Sequence, residues 1–177
     1  MSTRSALLQT QMPKTRLPQT WPDTLSAPPP TEVEDMLQTV WRILAELPTL
    51  YQRGETLLLH SRIQPLRKQI IAMMLAANGI RYPSNTQNLN LYLGDSQRAA
   101  LEKTLILPPA PPQSDNPVMD MRNHAVAQAL ALVVIYQWYA PQLAQKYAIT
   151  VPMQLEQDTL AHLAANIPIW PKQITTD

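Results

Sequence analysis

The segment Asp120-Met121-Arg122-Asn123-His124 holds the densest set of side chains suited to chemistry. An acid, a guanidinium, an amide and an imidazole stand together at the start of an apolar stretch. Asp120 and His124 are four positions apart, so a helix places them on one face. The first turns of a helix favour an anion, because free N–H groups and the helix dipole both attract negative charge. The segment predicts an anion-binding or catalytic site, with the polar end of a buried helix as the alternative.

A second group of candidate residues is basic and frames one amphipathic stretch. Its members are His60, Arg62, Arg67, Lys68 and Arg81. Clustered cations suit an anion or a phosphate backbone. A solvated helix face is the alternative, because the other side of this stretch is apolar. The two interpretations differ in whether the five side chains converge on one concave surface.

The sequence contains no pattern of metal or cofactor ligands. Its three histidines, His60, His124 and His162, are more than thirty positions apart, and they form neither a His-x-x-x-His nor a Glu-x-x-His pair. There is no cysteine to supply a thiolate, and three glycines cannot form a Gly-rich phosphate loop. No serine stands in a nucleophile elbow. We therefore expect no metal, no cofactor and no evident catalysis.

Charge and hydropathy favour a soluble cytoplasmic protein. The 177 residues carry a formal net charge of +1 and only 15% of them are charged, so nucleic acid is not the default partner. The first residues lack the apolar core of a signal peptide. The apolar stretch 125–140 is shorter than the roughly 20 residues that span a bilayer. We interpret it as a buried core helix, with a membrane span as the alternative.

Apolar residues at helical spacing predict an all-α protein, a four- to five-helix bundle around a long apolar central helix at about 117–140. The first helix is expected to begin at a capping box formed by Thr31 and Glu34, and to end at Pro48. Pro65 is expected to kink or divide the second helix. The other predicted helices cover about 49–78, 94–105 and 152–166.

The 18 prolines suggest how the chain is divided. Residues 1–30 are predicted to be a Pro-rich, disordered N-terminal tail. The helical bundle domain covers 31–167, with a semi-rigid Pro-rich connector at 107–117. Residues 168–177 are predicted to be a C-terminal tail.

The stretch LRKQIIAMMLAANGIRYPSNTQNLNLYL, residues 66–93, resembles one segment of the HEPN family. The order of helices across about 35–145 is similar to that family as well. The resemblance implies a helical protein that binds or cleaves RNA, as a ribonuclease or a toxin–antitoxin component. HEPN ribonucleases carry an Arg-x(4–6)-His motif, whereas Arg122 and His124 are only two positions apart. This departure predicts a degenerate, non-catalytic member.

The leading functional prediction is a small helical protein of bacterial type that acts by protein–protein interaction, as an adaptor or regulatory subunit. It depends on the missing catalytic constellation and on two tryptophans in the predicted tails, Trp21 and Trp170, which suit partner docking. The partner is expected to be a protein, and self-association is also considered. An RNA- or nucleotide-binding HEPN-like protein is the first alternative, and a membrane-associated helical protein is the second.

Overall fold

The computed structural model describes residues 21–105, 117–172 and 174, and no strand occurs within these ranges. The helices are α1 (Pro30–Arg53), α2 (Thr56–Ala77), α3 (Leu89–Tyr92), α4 (Asp95–Lys103), α5 (Pro117–Tyr147) and α6 (Met153–Asn166). The predicted all-α class with one long apolar helix is confirmed. The predicted connector falls mostly on 106–116, which lie outside the described residues.

The start of α1 differs from the predicted capping box. The helix begins at Pro30 with Pro29 as its N-cap, and no side chain caps it. Proline suits the first helical position, because its φ is already helical and its missing N–H has no partner there. Thr31 and Glu34 therefore lie inside the helix. The predicted inner face of α1 is fully buried, and it consists of Val33, Leu37, Val40, Leu44 and Leu47.

Three prolines lie inside helices instead of ending them. Pro48, Pro65 and Pro141 stand within α1, α2 and α5. The prediction that Pro48 ends the first helix is wrong, because Pro48 and Tyr51 pack into the core and the helix continues with them. It ends at Gly54, whose φ of 72° is the left-handed conformation that glycine adopts without strain.

The bundle is built on α2, which packs against both α1 and α5. Helices α1 and α2 are antiparallel, and Arg62 Nε forms an ion pair with Glu46 Oε2 at 2.7 Å. Helix α6 packs along α1, where Gln52 Nε2 donates a hydrogen bond to Asn166 Oδ1 at 2.8 Å. The four long helices enclose the apolar core.

Helix α5 runs parallel to α2. Near the start of both helices, His60 Nε2 lies 3.0 Å from the carbonyl oxygen of Met121. Near their ends, the Tyr147 hydroxyl donates to the carbonyl oxygen of Ala76 at 2.8 Å. These contacts fix the register of α5 on α2.

The described part of the predicted N-terminal tail, 21–29, packs on the bundle. The rings of Trp21 and Tyr92 are 5.4 Å apart. The Asp23 carboxylate accepts hydrogen bonds from Thr86 Oγ1 and Tyr92 Oη, each at 2.6 Å. The prediction of a disordered tail is thus corrected for these residues, while 1–20 lie outside the described residues.

The predicted C-terminal tail also packs on the bundle where the structure describes it. Trp170 is only 4% exposed and belongs to the apolar core together with Ile167. A backbone hydrogen bond from Trp170 N to Ile167 O closes a turn after α6. The sequence predicts Trp170 as an exposed docking residue, whereas the structure buries its ring in the apolar core next to α6.

Restoring a backbone hydrogen bond at Pro141 is expected to stabilise the protein. Pro141 is exposed, and proline inside a helix leaves one carbonyl without its N–H partner. Pro141→Ala should raise the free energy of unfolding by about 1–3 kcal/mol, measured by urea denaturation. The matched control Gln145→Ala, on an exposed neighbouring position, should change it by less than about 0.5 kcal/mol. An unchanged or lower stability of Pro141→Ala contradicts this expectation.

Asp23 is expected to make stability depend on pH at the acidic end. Hydrogen bonds from Thr86 and then Tyr92 lower the pKa of Asp23 below its usual value. A lowered pKa contributes stability that is present above the usual pKa and is lost as the pH falls through the lowered one. Asp23→Asn should therefore melt below the wild type at pH 7, and the difference should shrink between about pH 5 and pH 2. A melting-temperature difference that is constant over this range contradicts the assignment.

Candidate functional site

Arg122 closes the C-terminal end of α1. Its Nη1 donates to the carbonyl oxygen of Tyr51 at 3.2 Å, and its Cζ lies 5.7 Å from the centroid of the Tyr51 ring. A Cβ atom placed on Gly54 would lie 3.5 Å from the same Nη1. The last carbonyls of a helix lack intrahelical partners and attract cations. The guanidinium thus has a structural role at this helix end.

The other members of the 120–124 segment contact different neighbours. The Tyr51 hydroxyl donates to Asn123 Oδ1 at 2.9 Å and lies 3.7 Å from Met119 Sδ. His124 Nε2 lies 3.4 Å from Gln128 Nε2, one turn later on α5. The structure therefore joins Arg122 and Asn123 to Tyr51, and it directs His124 to its own helix.

Removing the Arg122 guanidinium is expected to destabilise the junction of α1 and α5. Arg122→Ala loses a charged hydrogen bond to the Tyr51 carbonyl and should lower the free energy of unfolding by about 1–3 kcal/mol. Arg53→Ala, which removes an exposed cation at the same end of α1, is the matched control and should cost less than about 0.5 kcal/mol. Urea unfolding followed by circular dichroism measures both. Equal effects of the two substitutions contradict the structural role of Arg122.

The predicted basic group does not form one surface. Arg62, near the start of α2, pairs with Glu46, whereas Arg81, beyond the end of α2, pairs with Glu32 at 2.8 Å. Lys68 Nζ lies 5.8 Å from the centroid of the Tyr82 ring. His60, as described, contacts a carbonyl of α5. Each of these four side chains already has a neighbour that stabilises it.

Arg67 is the exception within the basic group. Its side chain lies among the buried residues of α2 with 8% of its surface exposed. Neither Nε nor Nη2 has a hydrogen-bond partner among the described residues. Burial lowers the pKa of the guanidinium from its usual value. Arg67 is therefore a largely buried cation without an acidic partner in the described part of the chain.

A second set of buried polar groups lies between α1, α5 and α6. The rings of Trp41 and Tyr136 are 4.9 Å apart, edge to face. Trp41 Nε1, the Tyr136 hydroxyl and Gln137 Oε1 have no hydrogen-bond partner in the described part of the chain. Burial raises the pKa of Tyr136 well above its usual value and also raises the pKa of Glu156. The Tyr136 hydroxyl and the Glu156 carboxyl therefore stay uncharged more readily than in water.

An open cleft of about 500 Å³ adjoins this set on the outside. Gln137 of α5, Leu160 and Ala164 of α6, and Trp170 and Lys172 after α6 line it. A more polar cleft of about 380 Å³ lies between α1, α2 and the loop after α2, with Lys68 and Tyr82 in its wall. Neither cleft gathers the residues of the predicted catalytic segment.

The outer face of α5 is formed by Ala127, Ala131, Val134 and Trp138, and none of the other described helices covers it. Trp138 is 65% exposed and Val134 is 37% exposed, and the two alanines are half-buried. No charged residue occurs from 125 to 145. An apolar helix was expected to be enclosed on all sides, but only one side of α5 is buried in the core.

Sequence reasoning missed the outer face of α5, although its spacing carried a signal. Residues 127, 131, 134 and 138 recur at the intervals that place side chains on one face of a helix. A helix with two apolar faces does not reveal which of them packs inward. The larger ring at Trp138 made it a plausible core residue, and the structure places it outside.

By length and composition, α5 is apolar enough to cross a membrane, and 33% of its most apolar window is buried in the bundle. The core helix of a soluble protein meets the same criterion, so this is weak support for a membrane span. Among the described residues, no group of three or more His, Cys, Asp or Glu side chains suits a metal ion.

Over the described residues, the fold and these surfaces define an all-α protein with six helices. Comparison of the chain with protein-family models, with curated proteins and with solved structures finds no match.

Proposed function

We propose that this protein acts by binding a partner protein through the outer face of α5. The observation that carries the proposal is the exposure of Trp138 at 65% on a helix without charge from 125 to 145. Tryptophan is enriched among the residues that dominate binding energy at protein interfaces. A soluble protein gains nothing in stability by presenting such a ring to water. Binding of a partner that covers the Trp138 ring explains why the ring is exposed in the isolated chain.

Burial of the Trp138 ring supplies a substantial part of the binding energy. A tryptophan side chain buries roughly 150–250 Å², and about two thirds of that area is free here. At about 25 cal/mol per Å², covering it contributes roughly 2.5–4 kcal/mol before the costs of association. Val134, one turn earlier, extends the apolar contact. The outer face of α5 thus has a centre suited to a binding hot spot.

The absence of charged residues from 125 to 145 of α5 defines the chemistry of the partner. A charged group of the partner set against 125–145 would lose water without gaining a counter-charge, which is costly. Small side chains at Ala127 and Ala131 let another backbone approach closely. We therefore assign the partner as an uncharged, apolar helix of a different protein. This fits the role of an adaptor or regulatory subunit.

Binding of RNA by a HEPN-like protein is the alternative hypothesis. It needs free cations on one surface, and the pairing of Arg62 with Glu46 and of Arg81 with Glu32 favours the protein-interaction proposal instead. Arg122 is likewise engaged with Tyr51. RNA binding that is lost on substitution of both Arg122 and His124 by alanine would support the alternative over our proposal.

Site-specific photo-crosslinking tests the proposal inside cells. A photoreactive amino acid at position 134 should crosslink to another protein, and the same group at Leu91, an exposed residue of α3, should not. Trp138→Glu should reduce the crosslink from position 134 at least tenfold. The matched control Leu57→Glu changes a residue that is 84% exposed at the start of α2, and it should leave the crosslink intact.

Three outcomes contradict this proposal. Crosslinks from position 134 to the same chain alone indicate self-association. Crosslinks to lipid indicate a membrane-bound face. Crosslinks that persist in Trp138→Glu show that the ring does not contribute. Circular dichroism of each variant establishes that the bundle has folded.

A further inference from the structure

The cleft beside α6 results from how α5 and α6 are placed in the bundle. Helix α5 packs mainly on α2 and α6 packs along α1, whereas α5 and α6 have little direct contact with each other. The Trp170 ring lies on the inner side of the gap between them, as part of the apolar core. The outer side of the gap stays open as the cleft of about 500 Å³.

The walls of this cleft are mainly apolar. Most of the residues that line it have apolar side chains, namely Leu160, Ala161, Ala164, Trp170, Pro171 and Ile174. Ala161 is exposed, and Leu160 and Ala164 are half-buried, so part of this apolar surface is in contact with water. Small-molecule sites are clefts of roughly 300–1,000 Å³ with predominantly apolar walls and few polar groups. The cleft therefore has the size and the lining to hold the apolar body of a small molecule.

Among the described residues that line the cleft, Lys172 alone carries a charge. Lys172 is exposed, and none of the ion pairs in the described part of the chain includes it. The polar residues that share the lining, Gln137 and Gln157, are neutral. Hydrogen bonds between an ammonium and a carboxylate are stronger than those between neutral groups. The charge of the cleft therefore favours an anionic group on the ligand.

Two acids of α6 lie close to the cleft in sequence, but neither lines it. These are Glu156 and Asp158. Burial raises the pKa of Glu156, which keeps its carboxyl group uncharged more readily. Asp158 Oδ1 accepts a hydrogen bond from Gln154 Nε2 at 2.9 Å, one turn earlier on α6. Neither acid is placed to neutralise Lys172 within the cleft.

The positions of Trp170 and Lys172 determine the orientation of a ligand. Trp170 is only 4% exposed and forms the inner wall, whereas Lys172, two residues later, is exposed at the mouth. An anionic group at the mouth keeps its contact with water, so its desolvation costs little. An apolar chain that reaches inward replaces water along Leu160 and Ala164.

We propose that the cleft formed by α5, α6 and the segment after α6 binds a small carboxylate with an apolar chain. The carboxylate pairs with the Lys172 ammonium at the mouth, and the chain packs against Trp170 and Leu160. None of the four residues of the outer face of α5 lines this cleft. The site is therefore separate from the surface proposed for the partner protein.

Titration of the ¹⁵N-labelled full chain with octanoate, an eight-carbon carboxylate, tests the site. Among the indole Nε1–H resonances, that of Trp170 should shift most and should saturate. The resonance of Trp21, whose ring packs on Tyr92, should not move. An unmoved Trp170 resonance overturns the proposal. A larger shift at Trp138 also overturns it, because octanoate then binds the outer face of α5.

Two compounds with the same chain and a different head group test the role of charge. Octan-1-ol is neutral and should bind about threefold to tenfold more weakly than octanoate. Octylamine is a cation and should bind more weakly than octan-1-ol, because Lys172 repels it. Equal affinities for the three compounds indicate apolar contact alone and overturn the assignment of a carboxylate.

A substitution that fills the cleft tests its location. Ala161→Phe places a ring in the cleft from an exposed position of α6, and it should weaken octanoate binding by about tenfold or more. The matched control Ala99→Phe, at an exposed position of α4, should leave octanoate binding unchanged. Circular dichroism establishes that both variants have folded. Undiminished binding to Ala161→Phe overturns the proposal.

Removal of the cation separates charge recognition from apolar contact. Lys172→Met should lower the affinity for octanoate to about that for octan-1-ol, while the affinity for octan-1-ol stays the same. Lys103→Met, which removes an exposed lysine of α4, should change neither affinity. An unchanged octanoate affinity in Lys172→Met, or an equal loss for both compounds, contradicts the pairing of the carboxylate with Lys172.

Discussion

The carbonyl groups at the C-terminal ends of α1 and α2, which a helix leaves short of intrahelical partners, impose the constraint on which the rest of the structure depends. Both helices stop at a glycine in the left-handed conformation, Gly54 with φ 72° and Gly79 with φ 80°. A Cβ atom placed on either glycine would lie 3.5 Å from a cation of α5, which is Arg122 Nη1 at Gly54 and Lys146 Nζ at Gly79. Lys146 Nζ also donates to the Ala77 carbonyl at 2.7 Å. Helix α5 thus satisfies the C-terminal ends of two neighbours at once.

This arrangement determines how α5 lies in the bundle. Arg122 and Lys146 are separated by most of the length of α5. Both can reach the carbonyls of their helix ends only when α5 takes one register against α1 and α2. Between them, α5 carries no charge and turns one apolar side to α2. The side that faces away from α2 is apolar as well, and it exposes Val134 and Trp138. The exposed position of Trp138 follows from how the two helix ends are closed.

The sequence predicted much of the fold because helical periodicity is a local signal. The inner face of α1 and the bounds of α6 follow from spacing alone, whereas Pro48 failed as a stop because long-range burial outweighed the loss of one hydrogen bond. The pairing of Arg62 with Glu46 and Arg81 with Glu32 joins residues on different elements, so spacing cannot reveal it.

Two side chains depart in opposite directions from the pattern that governs the rest of the described chain. Arg67 is a charge enclosed without a partner, and Trp138 is a large apolar ring left in water. Among the described residues, Arg42, Arg62, Arg81 and Arg98 are each paired with an acid, and the tryptophans other than Trp138 are buried or half-buried. Burial of the Arg67 charge costs desolvation energy, and the Trp138 ring leaves apolar surface in contact with water. The proposed binding of an apolar partner helix would cover Trp138, and it accounts for the exposed ring where the stability of the isolated chain does not.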